Sequence, residues 1–315
     1  MRILVCTHEA DIDGIYSASI ALMKFPSAQI SFHNNGFNGF KKMFDHLKFE
    51  ARKEMNGLAI ISDLGINDNV YELCLNAIKY LKKRHWSIIW VDHHPWNRNA
   101  LLSIKKYIKM FYEPSGGKCS TEIMYKKFMY KDKNAEQLKM IAHSSDFMTS
   151  IGNYDSRVSE LILFYRNSPN SAEKLLSIVQ KTSLGILWDS EMQKDYTKFA
   201  NISNIQKARS LKTLKIKRIK SFYVAFVFTY PLVQVSLFSQ NLLADSQIDL
   251  VILFNRLGKV SIRRNNTKIS CGKIASFLVE GGGHEFASGG MLKCDPRDFN
   301  ACVEEIKHAI ASSLC

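Results

Sequence analysis

The residues able to do chemistry stand in four groups, and most of them follow apolar runs. The stretch Val91-Asp92-His93-His94-Pro95-Trp96 closes the run Ser87-Ile88-Ile89-Trp90-Val91. A short continuous apolar run reads as a buried strand, and open α/β sheets place their ligands at the carboxyl ends of strands. Neighbouring side chains of an extended chain point to opposite sides, so Asp92, His93 and His94 cannot all reach one ion. The division this implies puts one histidine on a metal, one on substrate, and Asp92 on a ring N–H. A second group, His8, Asp11 and Asp13, follows the apolar run 3–6, with Gly14 at the turn into the next element. On an extended loop Asp11 and Asp13 share one side, and a helix cap would use only one of them. Asp63 follows the run 57–62, and Asp146 follows the helical pattern 138–143. Carboxylates with imidazoles and no thiolate suit Mn²⁺, with Mg²⁺, Co²⁺ or Fe²⁺ as alternatives. The six donors His8, Asp11, Asp13, Asp63, His93 and Asp146 are too many for one ion. Two ions about 3.5–4 Å apart, bridged by a carboxylate, fit the number and imply hydrolysis of a phosphorus–oxygen bond.

These groups need a scaffold that brings several strand ends together. Strands are expected at 3–6, 57–62 and 87–91, with helices at 15–23 and 70–81. That repeat of strand, acid and helix means a parallel sheet with helices on both faces. The loop 113–121 leads into a helix at 121–129. Its glycines, Ser120 and Thr121 could face a phosphate at the helix N-terminus, but the spacing is not that of a P-loop, and it reads first as a loop. His143 reads as a surface or core histidine. Residues 150–205 are helical in pattern and carry no recognisable chemistry. Beyond them, strands are expected at 222–229, 233–238, 248–255 and 258–264. A helix at 271–279, a glycine-rich turn at 280–290 and a helix at 297–313 then complete a smaller α+β domain. The division is 1–190, a helical linker 191–215, and 216–315.

The composition agrees with a two-domain protein. The chain has 315 residues, 46% of them hydrophobic, and a net charge of +14. Between 201 and 270 stand twelve Lys and Arg against two acids. Excess positive charge favours a polyanionic partner, most simply nucleic acid. Seven cysteines, at 6, 74, 119, 271, 294, 302 and 315, show no C-x-x-C pair. An odd number without that spacing argues for a reducing compartment. The apolar stretch 222–238 contains Pro231 and Gln234 and is a poor membrane span, and Met1-Arg2 before the run 3–5 fits no signal peptide. A cytoplasmic protein without membrane partners is expected.

The motifs His8-x-x-Asp11-x-Asp13-Gly14, Asp63, Asp92-His93-His94 and Asp146 resemble the four motifs of the DHH phosphoesterase superfamily. Ser261-Ile262-Arg263, Ile274-Ala275, Gly281-Gly282-Gly283-His284 and Gly289-Gly290 resemble its associated C-terminal domain. RecJ-like exonucleases and compact nanoRNases or cyclic-dinucleotide phosphodiesterases are similar in architecture. The resemblance implies that His8, Asp11 and Asp63 hold one ion. Asp13, Asp63, His93 and Asp146 would hold the other, with Asp63 bridging. Asp92 would orient the imidazoles and His94 would contact the scissile phosphate. Arg263, Gly281, Gly282, Gly283 and His284 would bind the nucleotide across a cleft between the domains. The expected activity is Mn²⁺-dependent hydrolysis of single-stranded or short RNA or DNA to 5′-mononucleotides. The alternatives are a cyclic-dinucleotide phosphodiesterase, a 3′-phosphoadenosine phosphatase and, with least support, a non-catalytic replication accessory. A pyrophosphatase fits poorly with the glycine-rich turn and the basic charge. A homodimer and contacts with DNA-repair or replication proteins are left open.

Overall fold

The computed structural model describes residues 1–114, 117–147, 149 and 153–314. The chain forms two compact units, Met1–Tyr196 and Thr197–Cys315. The first is organised on five strands: β1 (Ile3–His8), β2 (Gln29–His33), β3 (Leu58–Ser62), β4 (Ser87–Asp92) and β5 (Lys109–Tyr112). They pair in the order β2-β1-β3-β4-β5, and every pairing is parallel. Parallel neighbours need crossover connections. Here α1 (Ile12–Lys24), α2 (Phe37–Lys53), α3 (Asp68–Lys83) and α4 (Arg98–Ile104) provide them. Four further helices follow, α5 (Ser120–Phe128), α6 (Lys133–Phe147), α7 (Asn153–Arg166) and α8 (Ser171–Ser183), and α9 (Ser190–Leu211) begins in this unit and continues into the second.

The inner strands are apolar on both faces because both faces are covered. Leu4, Cys6, Ala59, Ile61, Ile88 and Trp90 pack with α2, α3 and α4. Val5, Ile60 and Val91 pack with α1 and with α5 to α8 on the other side. This burial fixes the register, so the carboxyl ends of β1, β3 and β4 come to one edge of the sheet. The expected parallel sheet with helices on both faces is what forms.

The second unit holds β6 (Lys215–Ile219), β7 (Phe222–Thr229), α10 (Val235–Leu243), β8 (Leu250–Asn255) and β9 (Lys259–Arg264). It continues with α11 (Cys271–Ala275), β10 (Val279–Gly283), β11 (Ala287–Met291) and α12 (Phe299–Ser313). The strands make one mixed sheet in the order β10-β11-β9-β8-β7-β6. Phe226, Ile252, Phe254 and Ile262 pack under α11 and α12, and Val227 and Leu253 pack under α10. This is the expected α+β domain.

Several local expectations are corrected. The pattern at 233–238 predicts a strand, but most of that stretch opens α10. The neighbours β7 and β8 run parallel, so the chain must cross over between them, and Val235 and Phe238 pack on Val227 and Leu253 as it does so. The glycine-rich stretch 280–290 is a hairpin of two paired strands rather than a turn. Asp146 lies inside the last turn of α6, not beyond a helix or at a strand end. Gly14 lies within α1, where a Cβ would stand 2.2 Å from the His8 carbonyl oxygen. That glycine therefore serves close helix–strand approach, not a sharp turn. Ser115 and Gly116 of the loop before α5, the residues 150–152 and Cys315 lie outside the described residues.

Candidate metal centre

The acids and imidazoles singled out in the first unit come together at the carboxyl edge of its sheet. β1 ends at His8, and Asp11 caps α1 by accepting the Gly14 N–H at 3.2 Å. The other Asp11 oxygen, Oδ2, lies 3.1 Å from His8 Nδ1. Asp63 follows β3 with φ at 58°, a left-handed conformation that Asp enters more readily than most residues. Its side chain is almost wholly buried. Oδ2 lies 3.4 Å from His8 Nδ1, while Oδ1 lies 3.5 Å from His93 Nε2 and 3.9 Å from His94 Nδ1. Asp63 thus stands between two donor groups, His8 with Asp11 and His93 with His94.

Asp11 and Asp13 do not share one side of a loop. Asp11 is half exposed at the cap, and Asp13 is buried in the first turn of α1. Both oxygens of Asp13 receive backbone N–H groups from the start of α5: Ser120 N at 2.8 Å and Thr121 N at 2.7 Å. Asp13 Oδ2 also lies 3.7 Å from His93 Nε2. The donors at the N-terminus of α5 are therefore engaged by Asp13 instead of facing a phosphate. Asp146 Oδ2 faces the opposite ring nitrogen, His93 Nδ1, at 3.7 Å. Asp92 is fully buried. It lies 2.8 Å from His94 Nδ1 and accepts the indole N–H of Trp96 on its second oxygen. Trp96 and the start of α5 carry positions that sequence patterns did not assign. The only signal was a Trp four residues beyond an acid and a Ser-Thr pair opening a helix.

The cluster is short of positive charge. Among the described residues no Lys or Arg pairs with Asp11, Asp13, Asp63 or Asp146. Burial and the neighbouring Asp63 charge push Asp13 well above the usual carboxylate range. Burial raises Asp146 to about 6, with His93 opposing. Burial also works on Asp63, but the His8 and His93 imidazoles outweigh it and hold that carboxyl well below the usual range. Burial disfavours charge on the histidines, yet Asp11 and Asp63 lift His8 to about 10 and Asp63 and Asp13 lift His93 to about 10. Asp92 lifts His94 to about 9. Protons thus fill the role a cation would take. His8 Nδ1 is buried, close to two carboxylates, and makes no hydrogen bond to either. A ring nitrogen held that way could ligate a metal ion at the shared centre once its proton is displaced, and the hard and borderline donors fit a divalent cation.

The nucleotide-binding residues expected in the second unit also lie together. β11 pairs with β9, setting Ala287 opposite Arg263. The Arg263 Nη1 donates to the carbonyls of Ile262 and Ser288, at 2.9 and 3.4 Å, and its buried Nε has no hydrogen-bond partner. Burial holds the guanidinium below its ordinary value. Gly281, Gly282 and Gly283 form the end of β10, and His284 N donates to Ala287 O at 2.8 Å.

Residues 2–150 match the family model described as the DHH family, N-terminal domain. The first unit belongs to the DHH family. No curated protein matches the sequence of this chain. Solved structures do match its fold. A pGpG-specific phosphodiesterase from Vibrio cholerae is 11% identical, with a TM-score of 0.58 over 99% of this chain and 100% of that one. An exopolyphosphatase-related protein from Bacteroides fragilis is 12% identical, with a TM-score of 0.56 over 99% and 93%. The DHH domain of a member of a family of ribosomal proteins is 16% identical, with a TM-score of 0.60 over 98% and 86%. At such identities the likeness is one of fold. Among the described residues of this DHH protein, no helix is long and apolar enough to cross a membrane.

Proposed function

We propose that this DHH protein is a metal-dependent phosphodiesterase that hydrolyses short or single-stranded oligonucleotides to 5′-mononucleotides. The observation that carries the reading is Asp63, buried and shared between two donor groups in a cluster with no Lys or Arg partner among the described residues. His8, Asp11 and Asp63 would hold one divalent ion, and Asp13, Asp63, His93 and Asp146 would frame a second. Bound divalent ions, Mn²⁺ foremost and Mg²⁺ or Co²⁺ as alternatives, would supply Lewis acidity and bring a water toward neutral pKa. The backbone at Asp63 and the α5 N–H groups on Asp13 set where the carboxylates point. Asp92, held by Trp96, fixes His94 through Nδ1 and leaves Nε2 to donate to a phosphate oxygen. The Asp92 carboxylate raises the His94 pKa, and a protonated His94 would add positive charge there. In the second unit, Arg263 would bind a phosphate, and Gly281, Gly282, Gly283 and His284 would bind the nucleotide.

The Vibrio neighbour is named for pGpG, a linear dinucleotide, which makes short oligonucleotides the first substrates to assay. The test offers end-labelled RNA and DNA ladders, dinucleotides, cyclic dinucleotides, 3′-phosphoadenosine and polyphosphate, each with Mn²⁺. Release of 5′-mononucleotides from short linear substrates is expected. Turnover of polyphosphate with none of any oligonucleotide would overturn the reading.

A further inference from the structure

The β10–β11 hairpin contains one glycine that the fold does not require. At Gly281 a Cβ would stand 1.6 Å from the Ala275 carbonyl oxygen, and at Gly289 2.6 Å from that of Val260. Gly290 would meet Leu278 Cβ at 2.8 Å, and Gly283 has φ at 134°. These four are glycine for reasons of packing or backbone. Gly282 has no heavy atom within 4 Å of where its Cβ would lie, and its φ is not left-handed. Nothing in the fold excludes a side chain there, so a missing one keeps the surface open for something else.

At the tip of the same hairpin the rings of His284 and Phe286 are parallel to within 3°, with centroids 5.3 Å apart. Phe286 is 57% exposed and belongs to neither core cluster of the second unit. It occupies the short loop closed by the His284 N–H to Ala287 carbonyl bond, so its backbone is fixed in advance. One residue on, Ala287 is paired with Arg263, whose guanidinium has a buried nitrogen without a partner. A flat apolar face, an open approach over bare backbone and a guanidinium that keeps one buried nitrogen without a partner together match a nucleotide: base on ring, phosphate on arginine.

We propose that Phe286 is a nucleobase-stacking residue, and that the ligand of this hairpin is a nucleotide and not a bare phosphate chain. The proposal rests on the reading of Arg263 and the hairpin as substrate-binding residues. Stacking one base on an aromatic side chain is worth about five- to a hundredfold in affinity. The full-length protein with Mn²⁺ is assayed on a dinucleotide and on the same compound with one base removed, using wild type, Phe286→Ala, Phe286→Leu and Phe286→Trp. Phe286→Ala and Phe286→Leu should raise KM on the dinucleotide about tenfold more than on the abasic compound, with kcat little changed, and Phe286→Trp should restore it. Equal losses on both compounds, or none, would overturn the proposal; equal losses are also what a protein-docking patch would give. Equilibrium binding of guanosine 5′-monophosphate, measured with EDTA present, separates this idea from the proposed activity. If wild type cleaves no oligonucleotide yet binds the nucleotide more tightly than Phe286→Ala does, the activity fails and the stacking stands. If wild type cleaves the dinucleotide and binding does not change with Phe286→Ala, the reverse holds.

Discussion

The two sheets build their sites by opposite means. In the first unit, side chains are added where burial makes them costly. Five acids and three imidazoles meet at one sheet edge, partly buried, with Asp63 in a left-handed conformation and Asp13 satisfying the start of a helix more than a hundred residues away. In the second unit, side chains are removed. Five glycines strip the hairpin, in a unit rich in Lys and Arg. The first design crowds candidate donor atoms at a sheet edge. The second leaves bare backbone, with open space at Gly282. Deleting a group should therefore harm the first unit most, and adding one should harm the second.

The largest effect belongs to the shared acid. Asp63→Asn keeps size and tolerates the positive φ, so the fold should survive, with a lower Tm because the His8 and His93 imidazoles lose a charged partner. Turnover in Mn²⁺ should fall about 10³-fold or more, since charge stabilisation at the reacting phosphate goes with the ion. Near-normal turnover in this variant would show that Asp63 is not common to two ions.

The complementary experiment adds one carbon to the hairpin. Gly281→Ala places a Cβ 1.6 Å from a backbone oxygen, and backbone cannot step aside as a flexible side chain can. A loss of about 1–3 kcal/mol is expected in denaturant unfolding of the second unit. Gly282→Ala, in open space, should leave stability within about 0.5 kcal/mol while weakening nucleotide binding. If both alanines cost the same stability, the distinction between glycines kept for packing and one kept for access is wrong.

That most of the acids and imidazoles gather at one edge was legible because the strands that carry them are buried on both faces. Runs such as 58–62 and 87–91 leave no doubt of their type, and the polar residue that ends each one marks the sheet edge. The edge strands β2 and β5 were not legible: Gln29 and Lys109 are exposed and no continuous apolar run forms. Nor was β6, hidden in a run of lysines. α10 depends on a parallel pairing between β7 and β8 that no local pattern reveals. The glycine strands of the hairpin have low β propensity and look like a loop. Within the site, Asp13 was readable as a donor, but its two hydrogen bonds come from residues 107 and 108 positions away. Such contacts are properties of the fold alone.

Protons and cations should compete in the first unit in a defined direction. The folded, metal-free values of about 10 for His8 and His93 and about 9 for His94 stand above the unfolded histidine value of about 6.5. Groups raised in this way stabilise the fold fully below about pH 6.5, and that stability is lost as pH rises through 9 to 10. The metal-free protein should therefore lose Tm over that window. Metal affinity should rise over the same window, because ligating imidazoles must give up protons. Binding of Mn²⁺ at pH 7.5 in weak buffer should release protons measurably. An affinity flat between pH 6.5 and 9 would mean the imidazoles are not ligands.

The smallest effect concerns the basic edge of the second unit, and here the structure divides what the sequence presents as one run. On β6 successive side chains alternate between faces. Lys215 lies over the Phe299 ring and reaches Asn300 at 3.3 Å, and Lys217 pairs with Glu304 at 3.8 Å, so both are turned toward α12. Arg218 points the other way, opposite the half-exposed Tyr223 on β7, with exposed Ile216 on the same face. If a single strand runs along this edge, Arg218 with Tyr223 is the pair placed to meet it, charge to phosphate and ring to base. Losing one phosphate contact to a single strand lowers the slope of log K against log salt by about 0.7. Arg218→Ala should show that change with a 20-mer and leave dinucleotide turnover as it was. Lys217→Ala should change the slope less, because its charge is already partly neutralised by Glu304. Measured across salt on both substrates, equal slopes for the two variants would mean that the face of β6 does not matter and that only the net charge of the second unit attracts nucleic acid.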